Sequence, residues 1–130
     1  MRDAVADGRV MRVFVVDDEP VIGQTLAVIL KKSGYAAIAF TNPQAALESA
    51  CVLAPDVLLS DVEMPQLSGI DLAIRIRAEC PNCNILLLSG QAHTAGLLTA
   101  AREQGHEFTL LAKPIPPDEL LQAIDALVAA

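Results

Sequence analysis

The chain has 130 residues and a mass of 13.7 kDa, the length of one domain and too short for two. Apolar residues at 53% and charged residues at 19% exclude global disorder, and aromatics at 3% with no Trp demand an aliphatic core. Sixteen Asp plus Glu against nine Lys plus Arg give a net charge of −7, which repels a phosphate backbone, so no nucleic acid is expected as a direct partner.

Met1 to Gly8 is polar and aperiodic and reads as a loose, flexible tail, leaving 9–130 as the folded domain. Val10, Val13, Phe14, Val15 and Val16 form a β-branched run of strand length. Pro20 in a first helical turn, then Ile22, Leu26, Ile29 and Leu30 at helical spacing, with Gly34 as a stop, predict a helix. The alternation repeats as a strand over Ala36 to Phe40, a helix over Pro43 to Ala50, a strand over Val57 to Ser60, a helix over Gly69 to Arg77 and a strand over Ile85 to Ser89. Thr94 to Glu103 predicts a helix stopped by Gly105, Phe108 to Ala112 a fifth strand, and Leu120, Leu121, Ile124, Leu127 and Val128 the last helix. Strands that are apolar on both faces and joined by helices predict an α/β, doubly wound, five-stranded parallel sheet.

Polar residues interrupt every longer apolar stretch, so no membrane insertion is expected, and Asp3 and Asp7 make the opening segment unlike a signal peptide. Three cysteines do not make an even disulfide framework, and a reducing, cytoplasmic location follows as the expectation.

In a parallel sheet all strand C-termini share one edge, the edge at which open α/β sheets bind ligands. Here the strands end in Asp17-Asp18, in Asp61, in Ser89-Gly90 and in Lys113-Pro114. Taken singly each has a bland explanation: Asp17 and Asp18 could cap the helix at Pro20, Asp61 could open a turn continued by Pro65 and Gly69, and Ser89 could cap a helix. Lys113 is different, because an ammonium between Leu110-Leu111-Ala112 and Pro114-Ile115 needs a carboxylate nearby. Three carboxylates on one edge in turn repel each other unless a divalent cation or this lysine offsets them. A hard cation such as Mg²⁺ held by Asp18 and Asp61, with Asp17 nearby, leaves room for a phosphoryl oxygen. Asp61 is then the candidate nucleophile toward phosphorus, with Lys113 and the Ser89 hydroxyl each taking one phosphoryl oxygen and Gly90 leaving space for the incoming group.

At these residues the sequence resembles the receiver domain of two-component response regulators. The likeness runs from about Val10 to Val128 and rests on Val-Val-Asp-Asp-Glu-Pro (15 to 20), Asp-Val-Glu-Met-Pro-Gln-Leu-Ser-Gly (61 to 69), Leu-Leu-Leu-Ser-Gly (86 to 90) and Lys-Pro (113 to 114). The resemblance implies the flavodoxin-like strand order 2-1-3-4-5, of which receivers are a standard instance. It also implies that Asp61 accepts a phosphoryl group from a histidine kinase or histidine phosphotransfer protein. Asp18 would hold Mg²⁺ directly, Asp17 more often through water, and the backbone carbonyl of Glu63 would be the third protein ligand. Ser89 matches the hydroxyl that moves to the phosphoryl group, Lys113 the lysine that pairs with it, and Lys113-Pro114 is expected to be a cis bond.

The sequence departs from the family at Leu110, where receivers carry Tyr or Phe three residues before the lysine as a reporter of phosphorylation. The stretch from Gly105 to Lys113 is one residue longer than the common pattern, and Phe108, five before the lysine, either takes over that part or belongs to the core. The side chains of Glu63 and Gln91 fall at positions that tune phosphate lifetime in the family. A Glu63 carboxylate facing the phosphoryl group adds repulsion unless it turns away or hydrogen-bonds an attacking water.

Cys80-Pro81-Asn82-Cys83 has C-x-x-C spacing but lies at a helix C-terminus, where nothing lowers a thiol pKa, so neither a redox pair nor a zinc site is expected. Cys51 reads as a small core residue, His93 and His106 as isolated surface residues, and Asp118-Glu119 as first-turn acids of the last helix. The leading expectation is a stand-alone receiver that signals by protein contact, since no chain follows Ala130. It is not expected to be an enzyme beyond catalysing its own phosphorylation and dephosphorylation. The alternatives are an aspartate-nucleophile phosphohydrolase of the haloacid dehalogenase type, which wants Asp-x-Asp after the first strand, and a degenerate receiver that binds a partner without being phosphorylated.

Overall fold

Alternate residues of each strand go to opposite faces, and here both faces are apolar. Val13 and Val15 pack with Leu59, Leu86 and Leu88 on one side, while Phe14 and Val16 pack with Leu58, Ile85 and Leu87 on the other. The computed structural model describes residues 5–6, 9–90 and 94–129. Within them, strands β3 (Arg12–Val16), β4 (Ala36–Phe40), β5 (Val57–Asp61), β6 (Asn84–Ser89) and β7 (Thr109–Ala112) form one parallel sheet in the order β4-β3-β5-β6-β7. Counted along the chain, this is the expected 2-1-3-4-5 order.

Helices α1 (Pro20–Lys32) and α5 (Pro117–Ala129) cover one face through Ala27, Leu30, Leu120 and Ile124. Helices α2 (Pro43–Val52), α3 (Gly69–Glu79) and α4 (Thr94–Glu103) cover the other through Ala46, Leu47, Leu72, Ile76 and Ala101. Their ends follow local chemistry. The Asn42 side chain accepts from Gln44 N–H ahead of α2, the Ser68 hydroxyl accepts from Asp71 N–H ahead of α3, and Gly34 and Gly105 take positive φ after α1 and α4. Asp118 and Glu119 stand in the first turn of α5, as the sequence predicts.

The expected loose tail is corrected in part. Val5–Ala6 (β1) pairs antiparallel with Arg9–Val10 (β2), a ribbon too short for periodicity to reveal. The Arg9 guanidinium holds it down with two hydrogen bonds to the Asp56 carboxylate, at 2.8 and 2.5 Å. The rest of the expected tail lies outside the described residues.

Cys51 is a second correction. The buried positions of α2 are Pro43, Ala46, Leu47 and Ala50, and the next residue points away from that stripe, leaving Cys51 exposed rather than in the core. Cys80 and Cys83 are buried. Burial, with the neighbouring Cys80, pushes the Cys83 thiol up to about 12, and burial also raises Cys80. Since the thiolate is the reactive form, a maleimide or iodoacetamide at pH 8 should label one thiol per native molecule, at Cys51, and all three only after unfolding. Rapid labelling of three thiols in the native protein would contradict this.

Candidate functional site

The strand order reverses between β3 and β5, so the crevice at the C-terminal ends of these two strands is the topological switch point of the sheet. Asp17 and Asp18 follow β3 there, and Asp61 is the last residue of β5, one position further into the strand than the sequence suggests. Ser89 ends β6 and Lys113 follows β7, with Ser89 paired to Ala112 in register. All five side chains reach the same edge from four separate strands.

One carboxylate oxygen from each of Asp17, Asp18 and Asp61 lies within 4.8 Å of the others. Asp17 and Asp61 are buried, at 2% and 5% exposure, while Asp18 is half-buried. Asp17 also does local work, since its Oδ1 accepts from Glu19 N–H at 2.9 Å and so shapes the entry to α1. Its other oxygen faces Lys113 Nζ at 3.5 Å. Lys113 Nζ stands 3.0 Å from Asp61 Oδ1. That contact is a charge pairing without hydrogen-bond alignment, and Asp61 Oδ1 is buried with no hydrogen-bond partner among the described residues. The Lys113-Pro114 bond is cis.

Burial raises the Asp61 pKa, Asp17 and Glu63 add to the rise, and the Lys113 ammonium opposes it without cancelling it. Burial alone would lower the pKa of Lys113, but Asp61 and Asp17 outweigh it and the group sits above its ordinary value. The crevice therefore carries more negative charge than one ammonium offsets. Three clustered carboxylates, with a buried Asp61 oxygen that lacks a hydrogen bond among the described residues, fit a hard divalent cation.

Glu63 supplies a contact that sequence reasoning leaves open. Its carboxylate reaches across to β6, accepting from Ser89 Oγ at 2.9 Å through Oε2 and from Gly90 N–H at 3.2 Å through Oε1. Gly69 is another feature the sequence shows without explaining. A Cβ there would stand 2.1 Å from the Asp61 carbonyl oxygen and 2.9 Å from Val62 Cα. The start of α3 is thus pressed against the Asp61 backbone, with Gly69 N–H donating to Val62 C=O at 2.9 Å.

Phe108 does not stand at this edge. It precedes β7 at the opposite end of the sheet, four residues or roughly 13 Å of strand from Ala112. There its ring lies 5.2 Å beneath the Arg77 guanidinium, stacks on His106 at 6.2 Å and packs against the core. His106 is accordingly half-buried and partnered rather than isolated. Leu110 is partly buried against the same cluster and supplies no aromatic ring. Gln91 and His93 lie outside the described residues.

The family model for the response regulator receiver domain matches residues 13–125. The chemotaxis protein CheY of Thermotoga maritima is 31% identical over 115 residues, which cover 88% of this chain and 94% of that one. A receiver domain structure from Clostridium thermocellum superposes with a TM-score of 0.81 at 25% identity, covering 92% of this chain and 95% of the other. TcrX of Mycobacterium tuberculosis is 29% identical over 123 residues, and there the chain spans only 52% of the relative's length. The chain belongs to the response regulator receiver family, and its fold is the CheY-like form of the flavodoxin-like α/β sheet. No helix among the described residues is long and apolar enough to cross a membrane.

Proposed function

We propose that this receiver is a phosphorylation switch in which Asp61 accepts a phosphoryl group, in a Mg²⁺-dependent reaction, from the phosphohistidine of a histidine kinase or histidine phosphotransfer protein. The observation that carries this reading is the buried Asp61 oxygen held 3.0 Å from Lys113 within a cluster of three carboxylates. An Asp61 carboxylate oxygen attacks phosphorus, the P–N bond to the donor imidazole breaks, and its electron pair returns to the leaving nitrogen. Lys113 offsets the charge that gathers on the phosphoryl oxygens, and Ser89 Oγ and Gly90 N–H are the donors that would bind them. Asp17, Asp18 and Asp61, with the Glu63 backbone carbonyl assigned by family likeness, would hold Mg²⁺. When bound, the cation neutralises the carboxylates and a phosphoryl oxygen.

On this reading the chain is not a turnover enzyme; it promotes only the gain and loss of its own phosphoryl group and acts through contact with another protein. A cytoplasmic setting accords with a phosphohistidine donor and with three free thiols. The adjacent Asp17-Asp18 pair does not favour the phosphohydrolase alternative, and the convergence of all five site residues does not favour a degenerate site.

Incubation with Mg²⁺ and a small acyl phosphate should add one phosphoryl group per molecule by intact mass. The adduct should be absent with EDTA and absent from Asp61→Ala. An adduct that persists in the variant or without the metal would overturn the assignment.

A further inference from the structure

Two oxygens of one carboxylate on two donors is the way a phosphoryl group would use the same pair, and in this structure Glu63 already does so. Ser89 Oγ and Gly90 N–H, on the strand and turn that face Asp61, donate to separate oxygens of the Glu63 side chain. We propose that the Glu63 carboxylate is an internal anionic competitor that occupies the phosphoryl-binding donors of the resting site and must be ejected for the phosphorylated state to form. The proposal rests on the receiver reading above and gives the Glu63 side chain, which falls at a position that tunes phosphate lifetime in the family, a specific contact through which to act.

Three features support it. Glu63 lies two residues beyond Asp61, so its reach to Ser89 runs from the loop after β5 to the end of β6, two of the strand ends that build the site. Ser89 is 5% exposed, and its hydroxyl, which donates to Glu63 here, would donate to a phosphoryl oxygen on Asp61 once Glu63 is displaced. A carboxylate and a phosphoryl group cannot both take these donors at close range without strong repulsion. Ejection of Glu63 therefore accompanies phosphorylation, and the freed side chain alters the surface between β5 and β6 as the site is filled. The proposal thus couples phosphorylation to a local rearrangement in a chain whose position 110 carries no aromatic ring.

The test titrates beryllofluoride, an analogue of the phosphoryl group, into wild type, Glu63→Ala, Ser89→Ala and the double variant in Mg²⁺, with amide NMR as the readout. Glu63→Gln serves as an isosteric check on folding. Removing Glu63 should tighten beryllofluoride binding about tenfold, the scale of one charge-assisted hydrogen bond no longer in competition. In the Ser89→Ala background most of that gain should vanish, because the competition runs through the hydroxyl. Equal affinities with and without Glu63 would overturn the proposal and leave the phosphoacceptor reading standing. A gain of the same size in both backgrounds would also overturn it, as plain charge repulsion needs no contact with Ser89. Failure of every variant to bind the analogue would sink the phosphoacceptor reading, and with it the competitor.

Discussion

Gly69→Ala should unfold the protein or cost more than about 4 kcal/mol, a large part of the stability of a domain this size. The added methyl carbon would lie 2.1 Å from the Asp61 carbonyl oxygen and 2.8 Å from its carbonyl carbon. Both are backbone atoms of β5, the strand at the middle of the sheet, and neither can swing aside as a side chain can. Relief requires α3 to move away from β5, which breaks the Gly69 N–H to Val62 C=O bond and opens the packing of Ile70, Leu72 and Ala73. Gly96, on the exposed surface of α4, is the control: nothing lies within 4 Å of the point a methyl group would occupy, and Ala there should be neutral or slightly stabilising. Urea unfolding of the two variants checks the contrast, and equal midpoints would contradict it.

Lys113→Ala should lower the stability of the metal-free protein at pH 7 by about 3 kcal/mol, near the lower end for a buried ion pair because the lysine is one quarter exposed. The variant leaves Asp17 and Asp61 facing each other without the ammonium now 3.5 and 3.0 Å away. The pH dependence has a definite sign. Burial already places the Asp61 carboxyl above its ordinary value, against the pull of Lys113. A carboxyl raised in the folded state favours folding while protonated, and that contribution is lost as pH rises through the folded value. Without Lys113 the folded value rises further, so the penalty at pH 7 grows and the gap from wild type closes on acidification toward pH 4. Mg²⁺ should recover more stability in the variant than in wild type, since it takes over the neutralising charge. A gap independent of both pH and Mg²⁺ would mean the lysine contributes packing alone.

The site is legible in the sequence because a parallel sheet brings every strand end to one edge. Once Val13 to Val16, Val57 to Ser60, Ile85 to Ser89 and Phe108 to Ala112 read as strands, the residues that end them must be neighbours. Asp17, Asp61, Ser89 and Lys113 accordingly converge as expected. What the sequence hides is set by direction and close approach rather than by residue type. Nothing in the spacing says that Glu63 turns toward Ser89 or that Gly69 abuts the Asp61 carbonyl. Cys51 reads wrongly as core because one step along a helix turns a side chain by about 100°, from the buried stripe of Ala50 to solvent. Phe108 is ambiguous in the sequence because only the fold shows that Thr109 begins the strand, which leaves the ring under Arg77 at the far end of the sheet.

Central to the account is that the phosphoryl group is carried by the carboxyl of Asp61. Borohydride reduces an acyl phosphate to an alcohol and spares free carboxylates, so reduction after labelling with Mg²⁺ and a small acyl phosphate marks the acceptor permanently. Peptide mass sequencing should then read homoserine at position 61, with Asp17 and Asp18 unchanged. Homoserine at another aspartate, or a phosphoryl group that resists borohydride on a hydroxyl or imidazole, would contradict the account.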